Sequence, residues 1–299
     1  MVQGSTYFCT KLSNKIQQQI ILPTSTFLAT PALAALPPSC ATGAPTSDSV
    51  SCSGYCKFCR KTHHIYAGAA IRHCLKLMNL LEEKKRIDFS VTDETADPRF
   101  STDYLFGEAR GQMFGVMVYR DQNGSVGSIP AFSCQYNGSW LVDGWVPPLF
   151  DVKLFHDITF PVEKEIKKMG REIDFLKKGS LAQNTIIHQR KTLSRKLMKK
   201  IHALYSFTNF RGETASIRQA FTGPNGIPTG TGDCCAPKLL NYAAGNNLTP
   251  LSIAEFYWGR ENKSKTRRHG LFYSSCQEKC SPILGFLLCG LHDVSCEHI

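Results

Sequence analysis

The sequence predicts an α+β protein made of a small antiparallel β unit, a basic helical hairpin or coiled-coil arm, and a C-terminal α/β Cys-containing module. Three observations predict this class. Apolar segments typical of strands flank a turn near residue 121, heptad spacing begins near residue 161, and cysteine motifs precede apolar segments after residue 230. With 299 residues the chain is long enough for a sizeable core.

The composition is that of a globular protein with a basic surface. Hydrophobic residues make up 42% of the chain and aromatic residues 10%, which excludes a wholly disordered protein. The 35 Lys and Arg outnumber the 24 Asp and Glu, so the net charge is +11. This charge favours nucleic acid as a partner, and then an anionic membrane surface, although a solvated basic surface without a specific partner would have the same composition.

Cysteine usage and the N-terminal segment indicate the compartment. The chain has 13 cysteines, and an odd number argues against a fully paired oxidised framework. No apolar run reaches the length of a membrane span, and polar residues interrupt the apolar stretches near the N-terminus. We therefore expect a cytoplasmic protein, with no membrane partner, whose thiols are reduced or bound to metal.

Residues 1–60 are expected to form a low-complexity or disordered tail, because the segment 36–49 is rich in Pro, Ser and Thr. Cys52, Cys56 and Cys59, with His63 and His64 just after them, have the spacing of a small zinc knuckle. No apolar pattern frames these side chains, and we therefore favour unpaired thiols in a flexible tail.

Residues 61–155 are expected to form a helix followed by a β-hairpin unit. The turn Asp121-Gln122-Asn123-Gly124 has hairpin chemistry and separates two apolar runs. A third strand is expected before the Pro147-Pro148 pair. The expected elements are a helix over 73–81 and strands over 113–119, 126–132 and 140–146.

Residues 156–222 are expected to form the arm. Apolar residues recur at alternating steps of four and three between Val162 and Leu176, and a second stripe runs from Leu193 to Leu204. The outer faces are basic, which suits either contact with a phosphate backbone or a solubilising surface. The candidate nucleic-acid-binding residues are Lys164, Lys167, Lys168, Lys177, Lys178, Arg190, Lys191, Arg195, Lys196, Lys199 and Lys200.

Residues 223–299 are expected to form the cysteine-containing module. A glycine-rich loop precedes a helix over 235–244, a buried strand over 251–257 follows, and an apolar helix spans 280–291. Two motifs stand at helix starts, Cys234-Cys235 and Cys276-x3-Cys280. A helix N-terminus lowers the pKa of a thiol, which suits a metal-thiolate site.

These motifs resemble a known family. The run Gly-Thr-Gly-Asp-Cys-Cys-Ala-Pro-Lys-Leu-Leu over 230–240 is similar to the extension found N-terminal to certain RluA-type pseudouridine synthases, which modify large-subunit ribosomal RNA. The segments 254–259, 269–273 and 276–284 are similar to it as well, as is Gly-Gln-Met-Phe-Gly-Val over 111–116. The likeness covers roughly residues 105–291, with the arm shortened, and implies association with RNA.

The resemblance also implies what this chain lacks. The synthase domain of that family carries an Arg-Leu-Asp signature with the catalytic Asp, and no such signature occurs here. The chain ends soon after Leu291, about where the catalytic domain would start. We therefore expect a noncatalytic, RNA-associated accessory protein, with ribosomal RNA as partner and a separately encoded synthase domain as a further candidate partner.

A second, weaker resemblance concerns the zinc nucleobase deaminases, in which cysteines at two helix starts hold the metal. By this likeness we expect Cys234, Cys276 and Cys280 to bind zinc, with Cys235 as a rival first ligand and His269 or water as the fourth. Deamination also needs a carboxylate beside the metal-bound water. The positions two residues after the candidate ligands hold Ala236 and Pro237, and Glu255 lies inside an expected strand.

Three hypotheses therefore remain open from sequence. The first is the noncatalytic RNA-associated protein, with no catalytic residues of its own. The second is an active enzyme, either an atypical pseudouridine synthase or a deaminase-like zinc hydrolase. The third is a structural coiled-coil interaction module or a degraded gene product, in which the cysteines are buried apolar residues without metal.

Overall fold

The computed structural model of the chain describes residue 46 and residues 48–292, so the expected tail over 1–45 lies outside the described residues. The strands are β1 (Val50–Cys56), β2 (Lys61–Tyr66), β3 (Gln112–Arg120), β4 (Val126–Phe132), β5 (Ser206–Thr208), β6 (Thr214–Ser216) and β7 (Thr249–Trp258). The helices are α1 (Ala70–Lys84), α2 (Val152–Phe175), α3 (Leu181–His202), α4 (Ile217–Ala220), α5 (Cys235–Gly245) and α6 (Ser281–Leu287). The α+β class is confirmed.

A three-stranded antiparallel sheet, in the order β4-β3-β7, positions the cysteine-containing segments. The strands β3 and β4 form the expected hairpin, in which Asp121 Oδ1 accepts hydrogen bonds from the N–H groups of Asn123 and Ser125 at 2.9 and 2.8 Å. On its other side β3 pairs with β7, where Gly115 lies opposite Glu255. The central strand is thus flanked by one neighbour in sequence and one distant partner.

The side chains of β3 alternate between two apolar clusters on opposite faces of the sheet. Phe114, Val116 and Val118 pack in the cluster that contains α1. Met117 packs in the other cluster, which contains α5 and α6. The second cluster holds the cysteine-bearing helix starts against the sheet.

The segment 48–66 is part of the fold, which corrects the expectation of a tail up to residue 60. The strands β1 and β2 pair as an antiparallel hairpin, and α6 packs directly on β1. A methyl group on Gly54 would overlap the backbone of Gly285, and one on Gly285 would overlap the backbone of Tyr55. The absence of both side chains therefore permits this backbone-to-backbone contact.

The arm consists of α2 and α3, joined by a short turn. Its seam residues between Val162 and Leu176 are half-buried, as the heptad spacing predicts, and Leu197 is buried. The helix α2 starts at Val152 rather than at Pro161, because Asp151 caps it by accepting a hydrogen bond from the N–H of Leu154 at 2.7 Å. The arm therefore begins before residue 156.

Two further expectations were wrong. The segment 140–146 is not a strand, because Trp145 turns inward and its indole N–H donates to the carbonyl of Ile87 at 2.8 Å. The third strand of the sheet is β7 instead. Since β7 belongs to the segment 223–299, the described part of that segment is not a separate module, and the described residues 48–292 belong to one compact unit.

Within the described part of the chain, no helix combines the length and the apolar character that crossing a membrane requires.

Candidate metal centre

The first cysteine cluster begins at the N-terminus of α5, where Cys234 occupies the cap position. Gly115 of β3 lets this end of the helix approach the sheet, because a Cβ at that position would lie 2.9 Å from the Cβ of Cys235. The thiol of Cys235 donates to the carbonyl of Met113 at 3.4 Å. Cys235 is therefore turned toward the sheet, and Cys234 toward the cluster.

The other two thiols come from the turn that leads into α6. The N–H groups of Cys280 and Ser281 donate to the carbonyl of Cys276 at 3.2 and 3.0 Å, which closes the turn. The Sγ atoms of Cys276 and Cys280 lie 3.5 Å apart. With Cys234 they form a group whose sulfur atoms all lie within 4.8 Å of one another, so that this group could hold a metal ion.

The environment of the cluster favours negative charge on Cys276. Hydrogen bonding with the thiols of Cys234 and Cys280, together with the N–H groups of Lys279 and Cys280, lowers the pKa of Cys276 to about 2. Hydrogen bonding with Cys276 raises the pKa of Cys234 well above its ordinary value. A thiolate is the form in which cysteine binds a metal.

A carboxylate lies beside the thiols, which the sequence analysis set aside because it occurs inside a strand. A cavity of about 50 Å³ is lined by the three cysteines together with Glu255 and Arg267. Glu255 Oε1 accepts a hydrogen bond from the N–H of Ala236 at 2.8 Å. Burial raises the pKa of Glu255 to about 7, against the effect of that hydrogen bond.

The bond to Ala236 also explains how α5 begins. The Cys234 side chain makes no capping hydrogen bond, so Glu255 of β7 supplies an acceptor to the first turn of the helix. The nearby Asp233 accepts a hydrogen bond from the Tyr205 hydroxyl at 2.5 Å, and Lys238 donates to the carbonyl of Phe132 at 2.8 Å. These two bonds connect the residues that flank Cys234 to Tyr205 and to strand β4.

His269, the expected fourth ligand, is not among the residues that the structure brings together at this cluster. Its Nδ1 accepts a hydrogen bond from the N–H of Gly259 at 3.1 Å. Its ring packs against Trp258, with the ring centroids 4.2 Å apart, and against Phe106. The grouping of Cys234, Cys276 and Cys280 is thus observed, whereas His269 stabilises the turn after β7.

A second group of donors lies at the tip of the β1–β2 hairpin. It consists of Cys56, Cys59, His63 and Cys289, whose ligand atoms lie within 4.8 Å of one another. The expectation of a flexible tail is wrong for this region, because Cys56 and Cys59 lie in the β1–β2 hairpin, although no disulfide joins their thiols. Cys289 was missed altogether, since it is 230 positions away from Cys59.

An aspartate beside an arginine also occurs, at Asp88 and Arg86, which the sequence analysis did not single out. Arg86 Nε and Asp88 Oδ1 are 3.7 Å apart, and both side chains are buried. Arg86 donates to the carbonyls of Val91 and Thr92, so the pair holds the loop that follows α1. Neither residue lines the cavity beside Glu255 or a cavity of about 170 Å³ near Phe272.

The candidate nucleic-acid-binding residues lie on the arm and in its turn. Ten of the eleven are exposed, and Arg190 is half-buried, with its guanidinium close to Gly170 of α2. Within the described residues none of the eleven forms an ion pair shorter than 4.0 Å. The ten exposed side chains therefore carry charges that no direct ion pair neutralises.

The two helices of the arm differ in charge. The helix α3 contains six Lys and Arg and no Asp or Glu, whereas α2 contains five of each sign. The excess of positive charge is therefore concentrated on α3 and on Lys177 and Lys178 in the turn.

Comparisons with protein-family models, with curated proteins and with solved structures give no match for this chain.

Proposed function

We propose that the chain is an RNA-binding accessory protein related to the extension of RluA-type pseudouridine synthases, and that α3 makes the phosphate contacts. One observation carries the proposal, namely that α3 presents six basic residues and no acidic residue, with no ion pair among the described residues. An uncompensated row of cations attracts a polyanion and releases its counterions on binding.

The placement of these cations on α3 suits a backbone ligand. Leu193 and Ile201 are half-buried and Leu197 is buried, whereas Lys191, Arg195 and Lys199 recur at four-residue steps and are exposed. Four residues advance a helix by about 6 Å, so the three charges form a stripe along the axis. Such a stripe contacts successive phosphates without selecting bases, which is the electrostatic part of RNA binding.

The cations of α2 contribute less under this proposal, although Lys164, Lys167 and Lys168 are exposed. Glu163 and Glu165 lie on the same stretch of the helix, and the helix as a whole has no net charge. Nearby carboxylates repel phosphates and weaken the attraction of the lysines. The arm thus consists of the basic helix α3 and of the helix α2, whose positive and negative charges are equal in number.

Ribosomal RNA as the target and a separately encoded synthase domain as partner rest on the family resemblance, and a cytoplasmic location rests on the cysteine usage and on the interrupted apolar stretches near the N-terminus. Under this proposal the arm provides the affinity for RNA, and a synthase domain carries out the chemical reaction. The support is the arm with its basic helix, followed by the cysteine motifs in the same order as in those extensions.

We further propose zinc as the metal of the first cluster. Three thiolates are soft ligands of the kind that zinc prefers, and water would complete a coordination number of four. Bound there, the metal would join the start of α5 to the start of α6, because Cys234 and Cys280 occupy the two cap positions. The cluster would then hold the sheet face from which the arm extends.

The test compares two charge-matched variants in binding to a large-subunit ribosomal RNA fragment over a range of salt concentrations. One variant carries Arg195→Gln, Lys196→Gln and Lys199→Gln in α3, and the other carries Lys164→Gln, Lys167→Gln and Lys168→Gln in α2. Both lose three charges. We expect the α3 variant to lower the slope of log K against log salt by about 2, because each phosphate contact contributes about 0.7 on single strands.

The α2 variant is the control for net charge, and we expect a clearly smaller change. Equal losses in both variants would show that binding depends on total charge and would contradict the role of α3. Absence of salt-dependent RNA binding by the native chain would reject the proposed function.

A second candidate function, a deaminase-like zinc hydrolase, is favoured by the position of Glu255. This carboxylate lines the same small cavity as the three thiols, which is where a proton-transferring group must lie in such a site. Ammonia release from cytidine or adenosine by zinc-loaded protein, abolished by Glu255→Gln, would establish the hydrolase. Its absence with both nucleosides, together with α3-dependent RNA binding, supports the accessory function.

A further inference from the structure

We propose that Cys56, Cys59, His63 and Cys289 form a second zinc site, of the structural type, which fastens the N-terminal hairpin to the end of α6. This site goes beyond the proposed RNA-binding function, and it does not depend on the cluster at Cys234.

The hairpin supplies three of the four ligands. Cys56 ends β1, Cys59 lies in the turn of residues 57–60, and His63 lies on β2 opposite Gly54. The Sγ of Cys59 and the Nε2 of His63 are 3.0 Å apart. The spacing Cys-x2-Cys-x3-His therefore places two sulfurs and one ring nitrogen on one side of a tight turn.

Cys289 supplies the fourth ligand from the far end of the described chain. Its N–H donates to the carbonyl of Phe286 at 3.1 Å, and its own carbonyl accepts from the N–H of Phe210 at 3.0 Å. The close contact of Gly54 with Gly285 brings α6 onto β1, so that Cys289 arrives at the hairpin turn. Both backbone bonds hold Cys289 in place beside the hairpin turn.

The distances and the donor set fit tetrahedral zinc. Zinc binds sulfur at about 2.3 Å and nitrogen at about 2.0 Å, so neighbouring ligand atoms lie roughly 3.3–3.8 Å apart in a tetrahedron. The four atoms here lie within 4.8 Å of one another, which leaves only small side-chain adjustments. Three cysteines and one histidine are a common set for structural zinc sites.

The neighbouring Cys52 and His64 lie outside the group of four ligand atoms and contact other side chains. Cys52 accepts a hydrogen bond from the Ser275 hydroxyl at 3.0 Å and lies outside the group. His64 Nε2 lies 3.0 Å from the hydroxyl of Tyr66. The spacing of the sequence alone could not choose between His63 and His64, and the register of the hairpin makes that choice.

A disulfide is the main chemical alternative for these thiols. One disulfide would use two of the three sulfurs and leave the third sulfur and the imidazole without a role. A zinc ion uses all four donors at once and leaves no open position, which is typical of sites that stabilise rather than react.

The test counts zinc in the purified full-length chain and in matched variants. We expect two zinc ions per native chain, one in Cys289→Ser, one in Cys276→Ser, and none in the double variant. Cys52→Ser and His64→Ala are the controls and should keep two, whereas His63→Ala should keep one. The Cys276→Ser variant refilled with Co²⁺ should show the absorption of a tetrahedral thiolate site.

A labelling experiment on the native chain covers the case in which Cys289→Ser fails to fold. We expect zinc to protect Cys56, Cys59 and Cys289 from alkylation and a chelator to remove that protection. Equal alkylation with and without zinc, a disulfide joining two of these cysteines, or Cys276→Ser without any zinc would overturn the proposal. Because none of these measurements involves RNA, failure of this site is distinguishable from failure of the proposed function.

Discussion

The two cysteine clusters differ in what they connect and in how many ligands they contain. The hairpin cluster has four donors and joins β1 and β2 to the segment after α6. The cluster at Cys234 has three donors, joins the starts of α5 and α6, and adjoins a cavity that also contains Glu255. If both clusters bind zinc as proposed, the described residues supply four ligands to the first and three to the second, which leaves one position there for water or for another ligand.

This difference in ligand number and surroundings means that the two cysteine clusters of one chain can have distinct roles. A closed set of four ligands contributes chiefly to folding. An open set beside a carboxylate retains the features of a reactive site even where the chain uses it for structure. The hairpin cluster should accordingly control stability, and the cluster at Cys234 should control ligand exchange and response to pH.

The largest effect is expected from Gly285→Ala. This substitution disrupts the contact between α6 and β1 that places Cys289 beside the hairpin turn. The added methyl group would overlap the backbone of Tyr55 and Cys56, so α6 must move away from β1. We expect the free energy of unfolding to fall by about 3 kcal/mol or more, the upper range for overpacked positions. Urea unfolding measures this loss.

Gly245→Ala is the control for that experiment. It lies at the end of α5, where an added Cβ meets nothing within 4 Å. We expect an unchanged or slightly higher stability there. A tolerated Gly285→Ala, with two zinc ions still bound, would show that the contact does not govern the hairpin cluster.

The next effect concerns pH and the carboxylate beside the open cluster. Burial raises the pKa of Glu255 from its ordinary value near 4.5 to about 7, so ionisation disfavours the folded state. The stability that the protonated carboxyl contributes is complete below pH 4.5 and is lost as the pH rises through 7. The shift corresponds to about 3 kcal/mol, at 1.36 kcal/mol per pKa unit.

The variant Glu255→Gln tests this effect, because glutamine keeps the acceptor for the N–H of Ala236 and cannot ionise. We expect the variant to gain stability relative to the native chain between pH 5 and pH 8, by up to about 3 kcal/mol. Unfolding at fixed zinc concentration measures the difference, and Glu278→Gln at an exposed position is the control. A difference that does not change with pH would contradict the buried carboxylate as its source.

A smaller effect, in kinetics, should separate the two clusters directly. A chelator can take the fourth position of the three-thiol cluster, whereas the hairpin cluster offers none. We expect zinc release in two phases, of which the faster comes from the three-thiol cluster. The Cys276→Ser variant should lack the fast phase. Loss of the slow phase instead would show that the three-thiol cluster releases zinc more slowly than the hairpin cluster, which contradicts the expectation.

The smallest effect is expected from His269→Ala, which tests the ligand proposed from sequence. The variant loses the acceptor for the N–H of Gly259 and the packing on Trp258, so the free energy of unfolding should fall by about 1 kcal/mol. The zinc content should stay the same. His188→Ala on the exposed side of α3 is the control, and loss of one zinc in His269→Ala alone would restore His269 as a ligand.

Local patterns in the sequence predicted much of the fold. The hairpin of β3 and β4, the seam of the arm and the strand β7 all follow from residue spacing or turn chemistry over short stretches. The grouping of Cys234 with Cys276 and Cys280 was also expected, since both motifs stand at helix starts. In each case the decisive information lies within one element or within a family-like motif.

The features that escaped prediction depend on contacts between distant segments. Trp140, Val142 and Val146 suggested a strand because aromatic and β-branched residues favour one, but the place beside β3 is taken by β7. Cys289 has no sequence neighbour that marks it as a ligand. Only the packing of α6 on β1 brings it to Cys59 and His63.

The pairing of β3 with β7 has a consequence for how the chain is made. During synthesis β3 and β4 leave the ribosome long before β7. The edge of β3 that pairs with β7 therefore stays unpaired until more than one hundred further residues have been made. The arm can fold during this interval, because its contacts are local. Synthesis would then present the basic helix α3 first, and the sheet and the hairpin cluster would form only when the last described segment emerges.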